Sequence, residues 1–547
     1  MIIALAQLNY HIGNFEKNTA SIIQAIEKAK ARGAELVVFA ELAVGGYPAK
    51  DLWRSAAFLD ACETAVEEIA EVCKGVGCIL GAPIRASGKH TKALYNAALY
   101  LADGAVKQVV HKALLPDYDV FDEARYFEYG KRFTCFQAGG RKIALTVCED
   151  LWSVAEPRLY ALDPMTELAK QQPDLMINIA ASPFSYNGFD TRMQVLQQHC
   201  RRHRIPAIYV NQVGAHADLI FDGRSMVLGA DGELLDVCGG FEEDLRLYRL
   251  QGSAIKALQE SGRVAQPGDI PLIHDALILG IRDYFYKSGF TKAVIGLSGG
   301  IDSAVVAALT CEALGASNVL SVLMPSAYSS QHSIDDAMDL VTNTGCLHQV
   351  VPIHDAVTAF DQLLAPAFTG LAPDLAEENI QARIRGVILM AISNKLGYIL
   401  LNTSNKSEAA VGYGTLYGDM AGALSVIGDV YKTKVYELAR YINRNGNIIP
   451  EHTIIKPPSA ELRPGQKDSD SLPEYAVLDD ILYQHIEEEQ SAGQLIASGF
   501  DEALVKRVLH LVNNAEFKRF QAPPALRITQ KGFGAGRVMP LVARYPL

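Results

Sequence analysis

The feature that most constrains this chain is a rhythm. Short apolar runs, each followed by polar residues and then by helical spacing, recur in two series separated by a stretch without pattern. The first series holds IIALAQL (2–8), ELVVFAEL (35–42), KIALTVCEDLW (142–152), LMINIAASPF (175–184) and IPAIYVNQVG (205–214). NTASIIQAIEKAKARG (18–33) supplies a helical spacing closed by a glycine, and HADLIFDGRSMVLGADGELL (216–235) reads as a hairpin turning at Asp231-Gly232. The residues 251–271 lack period and carry Gly, Pro and Ser, as a linker does. A second series then runs through AVIGL (293–297), NVLSVLMP (318–325), HQVVPI (348–353) and YILLNTS (398–404). Strands alternating with helices predict an α/β chain, with a parallel, doubly wound sheet in the second half.

Length agrees with two large domains, 1–250 and 272–547, in a chain of 547 residues. Apolar residues make up 49% and charged ones 20%, enough material for two cores. The net charge of −12 argues against nonspecific binding to nucleic acid or anionic membrane, which needs a basic surface. Nine scattered cysteines without a CxxC pair read as reduced thiols. MIIALAQLNYHIGNFEKN has no basic, signal-like start and reads as a first strand, and no long apolar run predicts a membrane span, so a cytoplasmic location is expected.

Within AVIGLSGGIDSAVVAAL (293–309) a strand ends in Ser298-Gly299-Gly300-Ile301-Asp302-Ser303 and a small-residue helix begins. Glycines let backbone N–H groups approach a phosphate, and the helix start adds its positive end. Ser298 and Ser303 can donate to phosphate oxygens, whereas Asp302 calls for a cation, so Mg²⁺ is expected with it. A Walker A loop is excluded because Gly-Lys-Ser/Thr is missing. A plain tight turn with a polar helix start remains the competing reading.

LSGGIDSA resembles the pyrophosphate loop of the ATP-pyrophosphatase superfamily, whose members split ATP into AMP and pyrophosphate. ENIQARIRG (378–386) and NTSNKSEAAVGYGTLYGDMAG (402–422) are together similar to NAD synthetases. That resemblance implies a Rossmann-like domain of the adenine nucleotide α-hydrolase type. Its substrate would be nicotinic acid adenine dinucleotide (deamido-NAD), amidated through an adenylated carboxylate. It places Glu408 with Asp302 on Mg²⁺, and Thr403, Lys432 and Ser459 with Ser298, Gly299, Gly300 and Ser303 on ATP. Asn379, Arg383, Tyr413 and Asp419 would hold the dinucleotide. VLMPSAYSS lacks the arginine that family members carry near the adenine. The family dimerises through this domain, so at least a homodimer is implied.

In the first half, VFAELAVGGYP, HKALLPDYDVFDE and LTVCEDLW resemble, in that order, the Glu, Lys and Cys motifs of the nitrilase superfamily. An α-β-β-α sandwich is thereby implied, with Cys148 as nucleophile, Glu41 as base and Lys112 stabilising the oxyanion. NIAASPF and YVNQVGAHADLIFDGRS are similar to its glutamine-amidase members, which assigns Tyr118, Ser182 and Asn211 to glutamine. Ammonia from glutamine would reach the second domain through an internal tunnel. The remaining cysteines keep a structural reading.

Three further stretches are expected to be inert or open. His199 and His203 lie one helical turn apart without a third metal ligand and read as a solvated helix face. Met390, in VILMAISNKLGYILL, reads as core packing. SAELRPGQKDSDSLPEY (459–475) is either a disordered excursion or an active-site lid. A GMP-synthetase-like amidotransferase is a rival reading that lacks its Cys-His-Glu glutaminase, and a chain with one inactive, regulatory half is another.

Overall fold

The computed structural model describes residues 1–86, 92–155, 159–259, 267–463, 465–466 and 468–545. The chain divides into two compact units, Met1–Gln266 and Pro267–Leu547. The first is built on β1 (Ile2–Gln7), β2 (Leu36–Val38), β3 (Gly77–Arg85), β4 (Leu94–Ala102), β5 (Ala105–His111), β6 (Phe136–Ala138) and β7 (Arg141–Val147). It continues through β8 (Leu175–Ala180), β9 (Ala207–Asn211), β10 (Val213–His216), β11 (Leu219–Asp222), β12 (Met226–Leu228), β13 (Leu234–Val237), β14 (Asp244–Gln251) and β15 (Ala254–Ala257).

One sheet of this unit runs β15-β14-β1-β2-β3-β4-β5, a second runs β13-β12-β9-β8-β7-β6, and β10-β11 forms a separate hairpin. Period-two alternation gives each large sheet two apolar faces. Ile3, Leu5, Leu36 and Val38 pack against Ile143, Leu145, Ile177 and Val210 of the other sheet. Their neighbours Ala4, Ala6 and Val37 face Ile22, Ile26, Val66 and Ile69 of the helices Phe15–Ala31 and Ala56–Val72. Phe189, Val195 and Leu196 of the helix Gly188–His203 cover the far face of the second sheet. The unit is an α-β-β-α sandwich. Asp231-Gly232 lies between the paired strands β12 and β13, as expected of the hairpin.

The second unit has one parallel sheet: β16 (Ala293–Gly296), β17 (Val319–Leu323), β18 (Leu347–Val350), β19 (Ile399–Asn402) and β20 (Leu424–Ser425). Its order is β18-β17-β16-β19-β20, every pair parallel, so the chain winds outward in both directions from β16. Helices Asp269–Ser288, Ile301–Leu314 and Lys432–Ile442 pack together, while Leu375–Leu396 lies against β16 and β19. Ligands in such sheets sit at the C-terminal strand ends where the winding reverses, which is where SGGIDS lies.

Three expectations change. The stretch 251–271 is not all linker: Ile255 is buried in β15 against β14, and a helix begins at Asp269. His199 is fully buried, not solvated, because its Nε2 donates to the Leu151 carbonyl at 2.8 Å and its ring stacks on His203. The segment around Met390 is not simply core. Ile384 and Leu389 face the sheet, but Val387 is 68% and Met390 40% exposed on the outer side of the same helix.

Candidate active sites

In the first unit, Glu41 lies in the turn after β2. The turn comes so close to β3 that a Cβ at Gly81 would sit 2.1 Å from the Leu42 nitrogen, so only glycine fits there. Lys112 follows β5 directly, and its Nζ contacts Glu41 Oε1 at 2.7 Å and Glu123 Oε1 at 2.8 Å. All three side chains are buried. Asn96 Nδ2 donates to both carboxylates, and Ala181 N donates to Glu41 Oε2 at 3.0 Å. Burial pushes Glu123 up to about 7, against the pull of Lys112, and it takes a third bond from the Tyr47 hydroxyl.

Cys148 caps β7 with φ +40°, the left-handed conformation of a tight strand-to-helix elbow. Burial and the Glu41 charge push its thiol well above the ordinary range, and Lys112 pulls the other way. The resting group is a thiol beside a carboxylate and an ammonium. Tyr118 donates to Glu149 Oε1 at 2.9 Å and Tyr160 does so at 2.8 Å. Ser182 N donates to Asn211 Oδ1 at 2.8 Å, and Asn211 Nδ2 returns a bond to the Ser182 carbonyl at 3.1 Å. Glu123, Asn96 and Glu149 were not singled out in the sequence. Only the residue following the cysteine carried a local signal.

In the second unit a cavity of about 510 Å³ opens at the strand ends. Ser298, Gly300, Asp302, Ser303, Thr403, Glu408, Lys432, Ser459, Tyr413 and Asp419 all line it. Gly299 sits just behind with φ +80°, and a Cβ there would lie 2.1 Å from the Ser333 carbonyl oxygen. Ser298 Oγ accepts from Gly300 N at 3.2 Å and meets Ser303 Oγ at 3.1 Å, which shapes the loop. Lys432 Nζ contacts Asp302 Oδ2 and lies 3.7 Å from Glu408 Oε1. Burial and then Asp302 push Glu408 up to about 8. Two carboxylates sharing one ammonium form an electron-rich oxygen pair that suits a hard divalent cation. Among the described residues no group of three or more His, Cys, Asp or Glu side chains is placed to hold a metal.

Asn379 and Arg383 are outside this cavity. Asn379 accepts from Thr415 Oγ1 at 2.7 Å, and the exposed Arg383 donates to the Leu416 carbonyl at 3.2 Å. The segment after Ser459 borders the cavity. Glu461 accepts from Ser330 Oγ and Ser333 Oγ at 2.8 and 2.9 Å, and Asp468 accepts from the Tyr413 and Tyr475 hydroxyls. Positions 464 and 467 of this segment lie outside the described residues. Sequence reading missed Arg385, which lines the cavity and donates to the Met324 carbonyl after β17. It also missed Lys518, which clasps the Gly412 and Gly414 carbonyls around Tyr413.

A buried Glu–Lys–Cys centre in a sandwich of two sheets, and a glycine loop facing a carboxylate pair in a doubly wound sheet, define a class: a C–N hydrolase unit fused to a nucleotide-dependent ligase unit. Comparison with known proteins agrees. Residues 2–260 match the carbon-nitrogen hydrolase family and 273–522 match NAD synthase. The glutamine-dependent NAD(+) synthetase of Synechocystis is 44% identical over 550 residues, covering 99% of both chains. That of Acinetobacter baylyi is 40% identical over 99% of this chain and 98% of its own. The solved Acinetobacter baumannii glutamine-dependent NAD+ synthetase, in complex with ADP, superposes with TM-score 0.78 at 38% identity, covering 99% of this chain and 98% of that one.

The chain belongs to the glutamine-dependent NAD(+) synthetase family: it is an enzyme with a glutaminase domain and a synthetase domain. Among the described residues no helix is long and apolar enough to cross a membrane.

Proposed function

We propose that the chain amidates deamido-NAD to NAD with ammonia taken from glutamine, releasing AMP, pyrophosphate and glutamate in the cytoplasm. The observation that carries this reading is the Lys112 ammonium held between Glu41 and Glu123 beside the Cys148 thiol. Because burial keeps the thiol protonated, Glu41 removes its proton as sulfur attacks the glutamine amide carbon. Lys112 stabilises the oxyanion, ammonia leaves, and water releases glutamate from the thioester. Tyr118, Ser182 and Asn211 orient glutamine, with Glu149 fixed by two tyrosine hydroxyls.

In the second unit the nicotinate carboxylate attacks the α-phosphorus of ATP and pyrophosphate departs. Ammonia, delivered by an internal tunnel, then attacks the adenylated carbonyl and AMP leaves. Gly299, Gly300, Ser298 and Ser303 present N–H and O–H donors to the phosphates, with Thr403, Lys432 and Ser459 around them. Asp302 and Glu408 would hold Mg²⁺, which when bound supplies charge neutralisation of the pyrophosphate. Tyr413 and Asp419, which line the same cavity, would hold the dinucleotide.

The same reading makes the enzyme at least a homodimer. Arg383, Val387 and Met390 recur at helical spacing on one exposed side of Leu375–Leu396, and Phe360 and Leu363 add exposed apolar surface from His354–Leu364. An apolar stripe that carries a dinucleotide ligand suits a face covered by a second copy.

The test is product identity. With deamido-NAD, ATP, Mg²⁺ and ammonium chloride, AMP and pyrophosphate should form in step with NAD. ADP and phosphate instead would overturn the adenylation chemistry.

A further inference from the structure

Glu41, Lys112 and Cys148 come from three chain segments on two sheets that, among the described residues, share no ladder hydrogen bond. Glu41 follows β2 and Lys112 follows β5 in one sheet, whereas Cys148 follows β7 in the other. Catalysis between them needs a spacing held to a fraction of an ångström. Glu41 is tied across the gap by the backbone at Ala180 and Ala181. Lys112 has no such tie: among the described residues no backbone–backbone hydrogen bond joins 112–116 to 146–151.

Asp150 supplies one. It lies in the short helix Cys148–Val154 and is buried. Its Oδ1 accepts from Ala113 N at 2.8 Å and from Leu114 N at 2.9 Å, and its Oδ2 accepts from Val147 N at 3.0 Å. Ala113 and Leu114 directly follow the lysine, and Val147 directly precedes the cysteine. One carboxylate therefore fastens the main chain at one catalytic residue to the main chain at the other. Charge-assisted bonds to three N–H groups make that fastening stiff. His199 Nε2 holds the Leu151 carbonyl of the same helix.

We propose that Asp150 is a positioning residue for glutamine hydrolysis, setting the distance between the Lys112 ammonium and the Cys148 thiol without touching the substrate. The inference rests on the assignment of glutamine hydrolysis to this centre.

Asp150→Asn keeps the size but replaces one acceptor edge with an NH₂ donor, which opposes at least one of the three N–H groups however the amide turns. A displacement near 1 Å costs on the order of 100-fold in rate. Glutamine-driven NAD formation should therefore lose about 100-fold in kcat while the glutamine KM stays within about threefold, the mark of a transition-state effect. Ammonium-driven NAD formation should stay at the wild-type rate. If D150N does not fold, Asp150→Glu decides: it keeps the charge but shifts it by a methylene, and kcat should fall about tenfold at an unchanged KM.

A wild-type kcat in the folded variant, a raised KM with kcat intact, or an ammonium-driven rate that falls in parallel would each overturn the proposal. Cys148→Ala serves as the control. If it retains glutamine-driven synthesis, the underlying assignment fails; if it loses it while D150N and D150E do not, only the positioning role fails.

Discussion

Replacing Lys112 with methionine tests whether the first unit holds its buried charges at a cost. Lys112 Nζ lies 2.7 Å from Glu41 and 2.8 Å from Glu123, and none of the three side chains is more than 3% exposed. Methionine fills the space but leaves two buried carboxylates facing each other with no cation. Breaking one partner from a buried ion pair costs about 3–5 kcal/mol. In a unit of this size each kcal/mol lowers the melting temperature by about 2–4 °C, so the transition of the first unit should fall by roughly 6–20 °C at pH 8.

The sign of the pH dependence follows. Burial already raises Glu123 and Lys112 opposes it, so without the lysine Glu123 takes up a proton more readily in the folded than in the unfolded chain, and the deficit should shrink as pH falls. Adding Glu123→Gln to Lys112→Met removes one orphaned charge and should recover part of the loss. Calorimetry at pH 8 and pH 6 measures both. A Lys112→Met protein that melts with the wild type at pH 8 would refute the reasoning, since the three groups would then not form a buried charged cluster.

Glu123, pushed up to about 7 by burial, should give glutamine-driven activity an acid limb, because its protonation removes one of the two negative charges that hold the Lys112 ammonium in place. The rate should fall through that point to a lower plateau, and Glu123→Gln, fixed in the uncharged state, should show the plateau rate without the limb; a limb that survives refutes the assignment. Asp302→Ala should abolish NAD formation with either nitrogen donor, and residual activity with ammonium would remove Asp302 from the reaction. Gly299→Ala should lower ammonium-driven synthesis by on the order of 100-fold, because φ +80° and a Cβ 2.1 Å from the Ser333 oxygen force the Ser298–Ser303 loop to move. Val387→Glu places a charge in the exposed apolar stripe and should shift sedimentation toward monomer; an unaltered profile places the subunit contact elsewhere.

What was legible in the sequence is what local pattern encodes. Apolar runs located β1, β7, β8, β9 and four of the five strands of the parallel sheet, β16 to β19, but not the two-residue β20, and Ser298–Ser303 stood at a strand end before a helix. Motif resemblance picked out Glu41, Lys112 and Cys148, which the fold gathers around one buried centre.

The rest depends on pairings that no local pattern records. Glu123 matters through Lys112, 11 residues before it, and Asn96 through Glu41, 55 residues before it, neither at a spacing that a helix or strand pattern records. Asp150 reads as an ordinary acid after a cysteine until the backbone at Ala113 and Leu114 folds against it. His199 sits in a polar-looking HCRRHR stretch, yet one hydrogen bond to Leu151 lets it be buried. The helix Leu375–Leu396 is apolar on both sides, so periodicity could not tell its core face from its exposed one.

The central claim is that one centre releases ammonia from glutamine and another consumes it. The most direct measurement is NAD formation by the Cys148→Ala enzyme with deamido-NAD, ATP and Mg²⁺, once with glutamine and once with ammonium chloride. The account predicts no NAD from glutamine and a wild-type rate from ammonium. NAD from glutamine, or loss with both donors, would contradict it.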